Sequence, residues 1–297
     1  MKNRIPALLC VALLLLVPGC GQPNPSSAAD PTDLIAASAD ATTAAGTARM
    51  SMQMTMTTPQ GDVAVDAEGA YDFANRLGEM SMEMNLPEAA GQMGGSQNIE
   101  MVFEGLVVYM KYPMMSQLAP TAKPWIRMDL EKIGQEAGMD LGSMMQTGSS
   151  DPSQMLEWLR GVSGEVKVVG EEEVRGVPAT HYRGAIDLTK VVDQAPEEMR
   201  RQLKASMSTM VEAIGSDSLP FDVWIDAQGR AVRMQQSFDF QGGAAEGASM
   251  SMIIDIFDFG TDVDIDIPPA SQTSDFEELM DSMSGSMTSS GSATTSP

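Results

Sequence analysis

The sequence predicts an α+β fold, in which helices cover one apolar face of an antiparallel sheet. Three runs place methionine on every second position: RMSMQMTMTT at 49–58, EMSMEMNL at 79–86 and SMSMIIDIF at 249–257. In a β-strand, this spacing puts all the thioethers of one run on the same face. Many other short runs alternate in the same way between turn residues, and the run 195–215 has helical periodicity instead.

The N-terminus has the pattern of a secretory signal. Lys2 and Arg4 precede an apolar run at 5–17, which is too short to span a membrane as a stable helix. Gly19 comes directly before Cys20, as in a bacterial lipobox. We therefore expect residues 1–19 to be a signal peptide and Cys20 to become the lipidated first residue of the mature protein.

Charge and cysteine content exclude several classes of protein. The formal net charge is −23, so phosphate backbones repel the chain, and we expect no nucleic-acid binding. Cys10 is removed with the signal, which leaves Cys20 as the only thiol and excludes an intramolecular disulfide. We expect membrane attachment through the acyl group on Cys20, at the outer face of the cell membrane.

The polar, Pro/Ser-rich segment that follows Cys20 predicts a flexible tether over 20–31. A single domain is expected over 32–270. It begins with an Ala-rich helix from Thr32 that ends before Gly46.

Five strands should then form an antiparallel meander. After the first methionine run come VAVDAEGAYDF, the second methionine run, NIEMVFE and LVVYMKYP, with turn signals between them. One face of such a meander is apolar and the other is wet, so the apolar face needs a cover.

The middle of the chain is expected to supply that cover. KPWIRMDL predicts a strand that ends at Asp129 with a short helix after it, and DPSQMLEWLRGV predicts another helix. Gly, Ser and Met without periodicity at 138–150 suggest a mobile lid. GEVKVVGEEEV and GVPATHYRGAID are two further strands. The next predicted elements are a short helix at LTKVVDQ and a long helix whose apolar side comprises Met199, Leu203, Met207, Met210 and Ile214.

The last predicted strands are LPFDVWID, AVRMQQSFDF and ASMSMIIDIFDFG, with a hairpin turn at AQGR. TDVDIDIPPA should complete the sheet as a final strand that the double proline ends. The Ser/Thr/Gly-rich tail, 271–297, is expected to be disordered.

The alternating methionines allow three interpretations. They can form a flexible, polarizable wall that holds bulky apolar ligands, or they can fill an ordinary core. They can also bind Cu(I), although neither His nor Cys lies near the runs. On the first interpretation, the residues that line a ligand cavity are Met50, Met52, Met54, Met56, Met80, Met82, Met84, Met101, Phe103, Met234, Met250 and Met252.

Several segments together resemble a known family. The lipobox, the tether, KPWIRMDL, GVPATHYRGAIDL, PFDVWIDAQGRAVRM and DVDIDIPP are similar to LppX/LprG-type actinobacterial lipoproteins, which are related in shape to the LolA and LolB carriers. The resemblance covers roughly 32–270. It implies a strongly curved antiparallel half-barrel whose helices cover the concave side and enclose an apolar cavity for acylated lipids. It supplies no catalytic residues.

Enzymatic and metal sites have little support in the sequence. His181 is the only histidine, and the sequence contains no nucleophile-elbow motif with which it could act, so we expect it to be structural. Asp262, Asp264 and Asp266 have calcium-loop spacing, but Ile267 stands where an EF-hand needs Gly, so we interpret them as the polar face of the last strand. The run 171–173 of three glutamates is interpreted as a solvated turn. We expect neither a catalytic site, a metal site nor a cofactor.

The function predicted from the sequence is that of a monomeric, membrane-anchored, extracytoplasmic lipoprotein that binds and transfers acylated lipids. A structural or sensory lipoprotein that acts through an envelope protein partner is the first alternative, and it would carry no lipid. A methionine-rich Cu(I)-binding lipoprotein is the second.

Overall fold

The computed structural model describes residues 30–59, 61–87, 95–113, 122–136, 166–189 and 197–280 except 244 and 245, together with Leu159 and Val192. Within this part of the chain, no helix is long and apolar enough to cross a membrane. The segment 138–150 proposed as a lid lies outside the described residues. So do the lipobox and most of the two helices predicted at DPSQMLEWLRGV and LTKVVDQ, of which Leu159 in the first and Leu188, Thr189 and Val192 in the second are described and helical.

Twelve strands form one sheet that does not close, in the order β12-β6-β5-β4-β3-β2-β1-β11-β10-β9-β8-β7. All neighbours are antiparallel except β12 and β6. The N-terminal strands are β1 (Thr47–Thr58), β2 (Gly61–Asp72), β3 (Leu77–Leu86), β4 (Gly95–Glu104), β5 (Val107–Lys111) and β6 (Trp125–Asp129). The later strands are β7 (Lys167–Val174), β8 (Val177–Asp187), β9 (Ser218–Asp226), β10 (Ala231–Asp239), β11 (Ser249–Phe257) and β12 (Thr273–Asp275).

Within the described residues, the longer helices are α1 (Pro31–Thr43), α2 (Leu130–Glu136) and α3 (Glu197–Ile214). The Ala-rich helix ends before Gly46, whose φ of 82° suits only glycine comfortably. Ile35 and Ala39 of α1 and Ile214 of α3 are buried in one cluster with side chains of β8–β11. The predicted α+β half-barrel, with helices against the apolar face of a curved sheet, is therefore confirmed.

One contact illustrates how strongly the sheet coils. Arg175, in the β7–β8 turn, donates a hydrogen bond to Ser51 of β1, although three strands separate β8 from β1 in the sheet. A flat sheet would hold these strands about 19 Å apart. Twist and coiling bring them within the reach of one arginine side chain.

The apolar side of α3 differs slightly from the prediction. Met207 and Val211 pack against the core, whereas Met210 is 40% exposed. Met207, Val211 and Ile214 follow at steps of four and three residues, which centres the buried stripe away from Met210. The side chains of Met199 and Leu203 lie outside the described residues.

The end of the domain also differs from the prediction. Residues 261–269 form no strand, so the interpretation of Asp262, Asp264 and Asp266 as one face of a last strand is wrong; all three are exposed in irregular chain. The tail is not disordered from 271, because Thr273–Asp275 pair with Trp125–Arg127 as the short strand β12. A helical segment at 276–280 follows, and its Leu279 is buried against Ile126.

Candidate ligand-binding face

The methionine runs lie side by side near the centre of the sheet. In β1, Met50, Met52, Met54 and Met56 stand opposite Ile256, Ile254, Met252 and Met250 of β11. Directly opposed residues of antiparallel strands point to the same face, so the thioethers of both strands share it.

The same face continues across β2 to β3 and β4. Gly69, Ala67 and Val65 of β2 lie between β1 and β3. Their partners on β3 are Met80, Met82 and Met84, respectively. Met80 in turn stands opposite Met101, and Gly78 stands opposite Phe103. Met234 of β10 stands opposite Ile254. All twelve residues that the sequence analysis singled out therefore lie on one face, which we call the methionine face.

Burial divides the methionine face into two groups of side chains. Met50, Phe103 and Met234 are 6–9% exposed. The other nine are only half-buried among the described residues: Met52, Met54, Met56, Met80, Met82, Met84, Met101, Met250 and Met252. Apolar side chains in a filled core are usually fully buried, so this face is not closed by the described part of the chain.

Two glycines give the face its shape. A Cβ at Gly69 would lie 2.1 Å from the Glu79 carbonyl oxygen, so β2 and β3 approach each other too closely there for any side chain. A Cβ at Gly78 would lie 2.4 Å from the Tyr71 ring, which occupies the space above that glycine. Glycines inside strands often mark close backbone approaches, and these two leave no space for a side chain at their positions.

A small cavity opens on the methionine face. Its volume is about 40 Å³, and the side chains that line it on this face are Met50, Met52, Ala67, Met80, Met234, Ile254 and Ile256. Four methionine residues therefore border one space that has almost no polar lining. The cavity is far smaller than the sites of about 300–1,000 Å³ that hold drug-sized ligands.

The opposite face of the sheet carries a network of charges. Asp255 of β11 accepts hydrogen bonds from Arg233 at 2.6 and 2.8 Å and from Arg175 at 3.0 Å. Burial alone would raise the pKa of Asp255, but the bonds from the two guanidinium groups outweigh it and lower the pKa below its ordinary value. The same bond to Asp255 raises the pKa of Arg233.

His181 lies on the same polar face, where it packs against an aromatic ring and contacts two carboxylates. Its ring stacks on Trp224 with 4.0 Å between centroids. Nδ1 lies 3.0 Å from Glu172 Oε1, and Nε2 lies 2.5 Å from Asp222 Oδ1. The Trp224 indole N–H also donates a hydrogen bond to Glu172. This bond lowers the pKa of Glu172 most, and the bond with His181 lowers it further.

The three glutamates are exposed beside the β7–β8 hairpin, as predicted, but the turn itself begins after them. They lie within β7, and the turn is formed by Arg175 and Gly176, both at positive φ. Strand alternation points Glu172 toward His181 and Trp224, which the sequence alone did not reveal because the partners are nine and 52 residues away.

The polar face also has a groove of about 490 Å³ between the β7–β8 turn and the end of β11. Arg175 and Arg230 line it, stacked on the rings of Phe257 and Phe259. Both arginines are already paired, with Asp255 and Asp226 respectively. Among the described residues, no group of three or more His, Cys, Asp or Glu side chains could hold a metal ion.

Comparisons with known proteins find relatives in actinobacteria. No family model matches the chain. The chain is 29% identical over 232 residues to an uncharacterized 31.2 kDa protein of Streptomyces griseus. The matched region covers 75% of this chain and 73% of that protein. The chain is 25% identical over 159 residues to a putative lipoprotein of Streptomyces coelicolor, across 52% of this chain and 44% of that protein.

Two solved structures are mycobacterial lipoproteins. LprF from Mycobacterium bovis has a TM-score of 0.44 and 15% identity, with 80% of this chain and 97% of that chain covered. LppX from Mycobacterium tuberculosis has a TM-score of 0.42 and 15% identity, with 79% and 97% covered. The chain resembles LppX/LprG-type lipoproteins. Identities and TM-scores are low, so neither neighbour assigns a ligand to it.

Proposed function

We propose that the protein is a membrane-anchored, extracytoplasmic lipoprotein that binds the acyl chains of lipids on its methionine face and passes them on without catalysis. The observation that supports this most directly is the half-burial of nine of the twelve side chains on that continuous apolar face. An acyl chain laid against them would leave water at a gain of roughly 25 cal/mol per Å² of apolar surface.

Methionine suits such a ligand better than branched residues do. Its unbranched side chain has three rotatable bonds and a polarizable sulfur, so it adapts to chains of different length and shape. The cavity of about 40 Å³ is too small for an acyl chain, so the side chains must move apart when one enters.

The relatives support the proposal that the protein is attached to the membrane. One curated relative is described as a putative lipoprotein, and LprF and LppX are lipoproteins similar in structure. The Gly19-Cys20 pair is the expected site of acylation. In a bacterial host, Cys20→Ser should abolish incorporation of labelled palmitate, whereas Cys10→Ser, within the predicted signal, should leave it intact. Retained labelling of the Cys20 variant would refute the anchor.

The lipid-binding proposal is tested by replacing one thioether with a polar group of similar size. Met54→Gln places an amide on the methionine face, and Thr55→Gln places the same amide on the opposite face of the same strand. Burying an unpaired amide against an acyl chain costs about 1–3 kcal/mol, so the affinity of Met54→Gln for a fluorescent fatty-acyl probe should fall about fivefold or more. Thr55→Gln should bind as the parent does.

Mass spectrometry of organic extracts gives the second readout. The protein purified from an actinobacterial host should contain stoichiometric lipid, and the amount should fall in Met54→Gln. A folded protein that contains no lipid and takes up no acyl probe would overturn lipid binding and leave a partner-binding lipoprotein with a filled core.

A further inference from the structure

The methionine face exposes sulfur-containing side chains to solvent. Nine of its methionines are half-buried, whereas Met50 and Met234 are 6% and 9% exposed. Peroxides reach a thioether from water, so the nine residues are open to oxidation and the other two are shielded from it. The face therefore has a chemical reactivity that a face of leucine and isoleucine would lack.

The half-buried methionines are neighbours across the strands. Directly opposed residues of antiparallel strands have Cβ atoms about 4.5–5.5 Å apart. Val65, Ala67 and Ile254 stand among the methionines, and their side chains have no hydrogen-bond donor. A polar group formed on one methionine would thus have apolar neighbours. Three pairs of methionines are directly opposed: Met54 and Met252, Met56 and Met250, and Met80 and Met101.

Oxidation would change the character of these side chains. The sulfur attacks one oxygen of hydrogen peroxide, so that an S–O bond forms and the O–O bond breaks. Sulfur loses two electrons and the peroxide gains them; the second oxygen takes up the proton of the transferred hydroxyl and leaves as water. The product, methionine sulfoxide, is polar, and the side chains of Val65, Ala67 and Ile254 cannot donate a hydrogen bond to its oxygen.

The core beneath the helices is protected from the same reaction. Phe221, Val223 and Ile225 contain no sulfur and are 0–7% exposed. Met50 and Met234 belong to the same buried cluster. Oxidation should therefore alter the methionine face and leave the fold intact.

We propose that the half-buried methionines are an oxidation site that controls the affinity of the methionine face for acyl chains. Peroxide converts them to sulfoxides, and a bound acyl chain, which then lies against unpaired polar groups, is released. Reduction of the sulfoxides restores the apolar face. This inference rests on the proposed lipid function, since it concerns the regulation of the same surface.

The test treats the full chain with hydrogen peroxide, removes the peroxide and measures binding of the fatty-acyl probe before and after. Cys10→Ser and Cys20→Ser are introduced first, because thiols are oxidised as well. Peptide mass spectrometry should find sulfoxide on the nine half-buried methionines and little on Met50 and Met234. We expect probe affinity to fall at least about tenfold, while the circular dichroism spectrum stays that of the folded protein.

Reduction gives the second readout. Two methionine sulfoxide reductases, one for each sulfoxide epimer, remove the oxygen as water while a dithiol is oxidised to a disulfide. Treatment with both enzymes and dithiothreitol should restore the affinity to within about twofold of that of the untreated protein.

Two variants separate the methionine face from methionines elsewhere. One replaces two opposed pairs of the face with leucine, which keeps size and apolarity, and the control replaces two methionines of α3 and the C-terminal segment that are 40% and 49% exposed. Each variant is compared with its own untreated form. The control should lose as much affinity on oxidation as the parent does, and the loss in the face variant should be at least about threefold smaller. The substitutions are Met54→Leu, Met56→Leu, Met250→Leu and Met252→Leu in the face variant and Met210→Leu and Met280→Leu in the control.

Several outcomes would overturn control by oxidation and leave lipid binding in place. They are a face that acquires no sulfoxide, an unchanged affinity with sulfoxide mapped on the face, and equal losses in the parent and the face variant. Loss of binding that accompanies unfolding, or that the reductases do not reverse, would show damage and not control. An untreated protein that takes up no probe would overturn the lipid proposal itself, and this inference with it.

Discussion

The apolar face of the sheet contains two regions that are filled differently. Under α1 and α3, strand β9 presents Val223, Phe221 and Ile225, which are 0–7% exposed. On β1, β3 and β4 the methionines are mostly half-buried. Branched and aromatic side chains have few rotamers and fix one packing, whereas methionine adapts to its neighbours. Rigidity is therefore concentrated where the helices lie, and adaptability where we propose that ligands bind.

The sharpest test of this contrast is truncation of one side chain in each region. Phe221→Ala removes a ring that lies against Gly184 in the helix-covered region, and it should lower the free energy of unfolding by about 3–5 kcal/mol. Met82→Ala removes a half-buried side chain, and its cost should be about 1 kcal/mol. Urea denaturation at pH 7 measures both. Equal losses would show that the methionines form a core as tightly packed as the one beneath the helices.

A second test concerns β11, which both regions share. Ile254 and Ile256 join the helix-covered core, Met250 and Met252 belong to the methionine face, and Asp255 is held from behind by Arg233 and Arg175. Asp255→Asn leaves the two guanidinium groups without their carboxylate, and we expect it to cost about 2–3 kcal/mol of unfolding free energy at pH 7.

The pH dependence follows from the lowered pKa of Asp255. The unfolded chain takes up the proton first as pH falls, so the stabilisation is complete above the ordinary pKa of 3.8 and is lost as pH falls through the lower value of the folded state. Denaturation between pH 6 and pH 2.5 should show this loss in the parent protein and a smaller one in Asp255→Asn. Parallel pH profiles would mean that the pKa of Asp255 is the same in the folded and unfolded states.

The methionine face was predictable in part, from strand parity. Alternation in 49–58, 79–86 and 249–257 places the thioethers of each run on one face of its own strand. The observed register then puts the three runs on the same face of the sheet. The order of strands was predictable where sequence neighbours form hairpins, as in the meander β1–β5 and at the AQGR turn between β9 and β10. The pairing of β1 with β11 joins residues that are about 200 positions apart, and no local pattern encodes it.

The polar network and the C-terminal strand could not be found from sequence for a related reason. Glu172 binds Trp224, and Thr273–Asp275 lie beside Trp125–Arg127, through contacts that only the folded chain creates. The tail was judged by its Ser/Thr/Gly-rich composition, which describes 281–297 better than 271–280. Phe276 and Leu279 pack against Ile126, but two apolar residues have little weight in the composition of the whole tail.

A further modest effect, in the strand beneath the methionine face, is expected at Gly69. A Cβ there would meet the Glu79 backbone oxygen at 2.1 Å, and backbone cannot swing aside as a flexible side chain would, so Gly69→Ala must push β2 and β3 apart. We expect a loss of about 1–2 kcal/mol in unfolding free energy. Gly170→Ala is the matched control: it also lies in a strand, but its Cβ would meet nothing within 4 Å. It should leave stability unchanged or slightly raised, because alanine restricts the unfolded chain.

The two variants also differ in what they do to the methionine face. Gly69 lies between Met50 and Met80, so widening the strands there should change the affinity for the fatty-acyl probe, whereas Gly170 on β7 is remote from all twelve side chains. If Gly69→Ala lost stability but bound the probe as the parent does, the close approach of β2 and β3 at Gly69 would contribute to packing alone. The adaptability of the face would then come from the methionines themselves and not from the sheet beneath them.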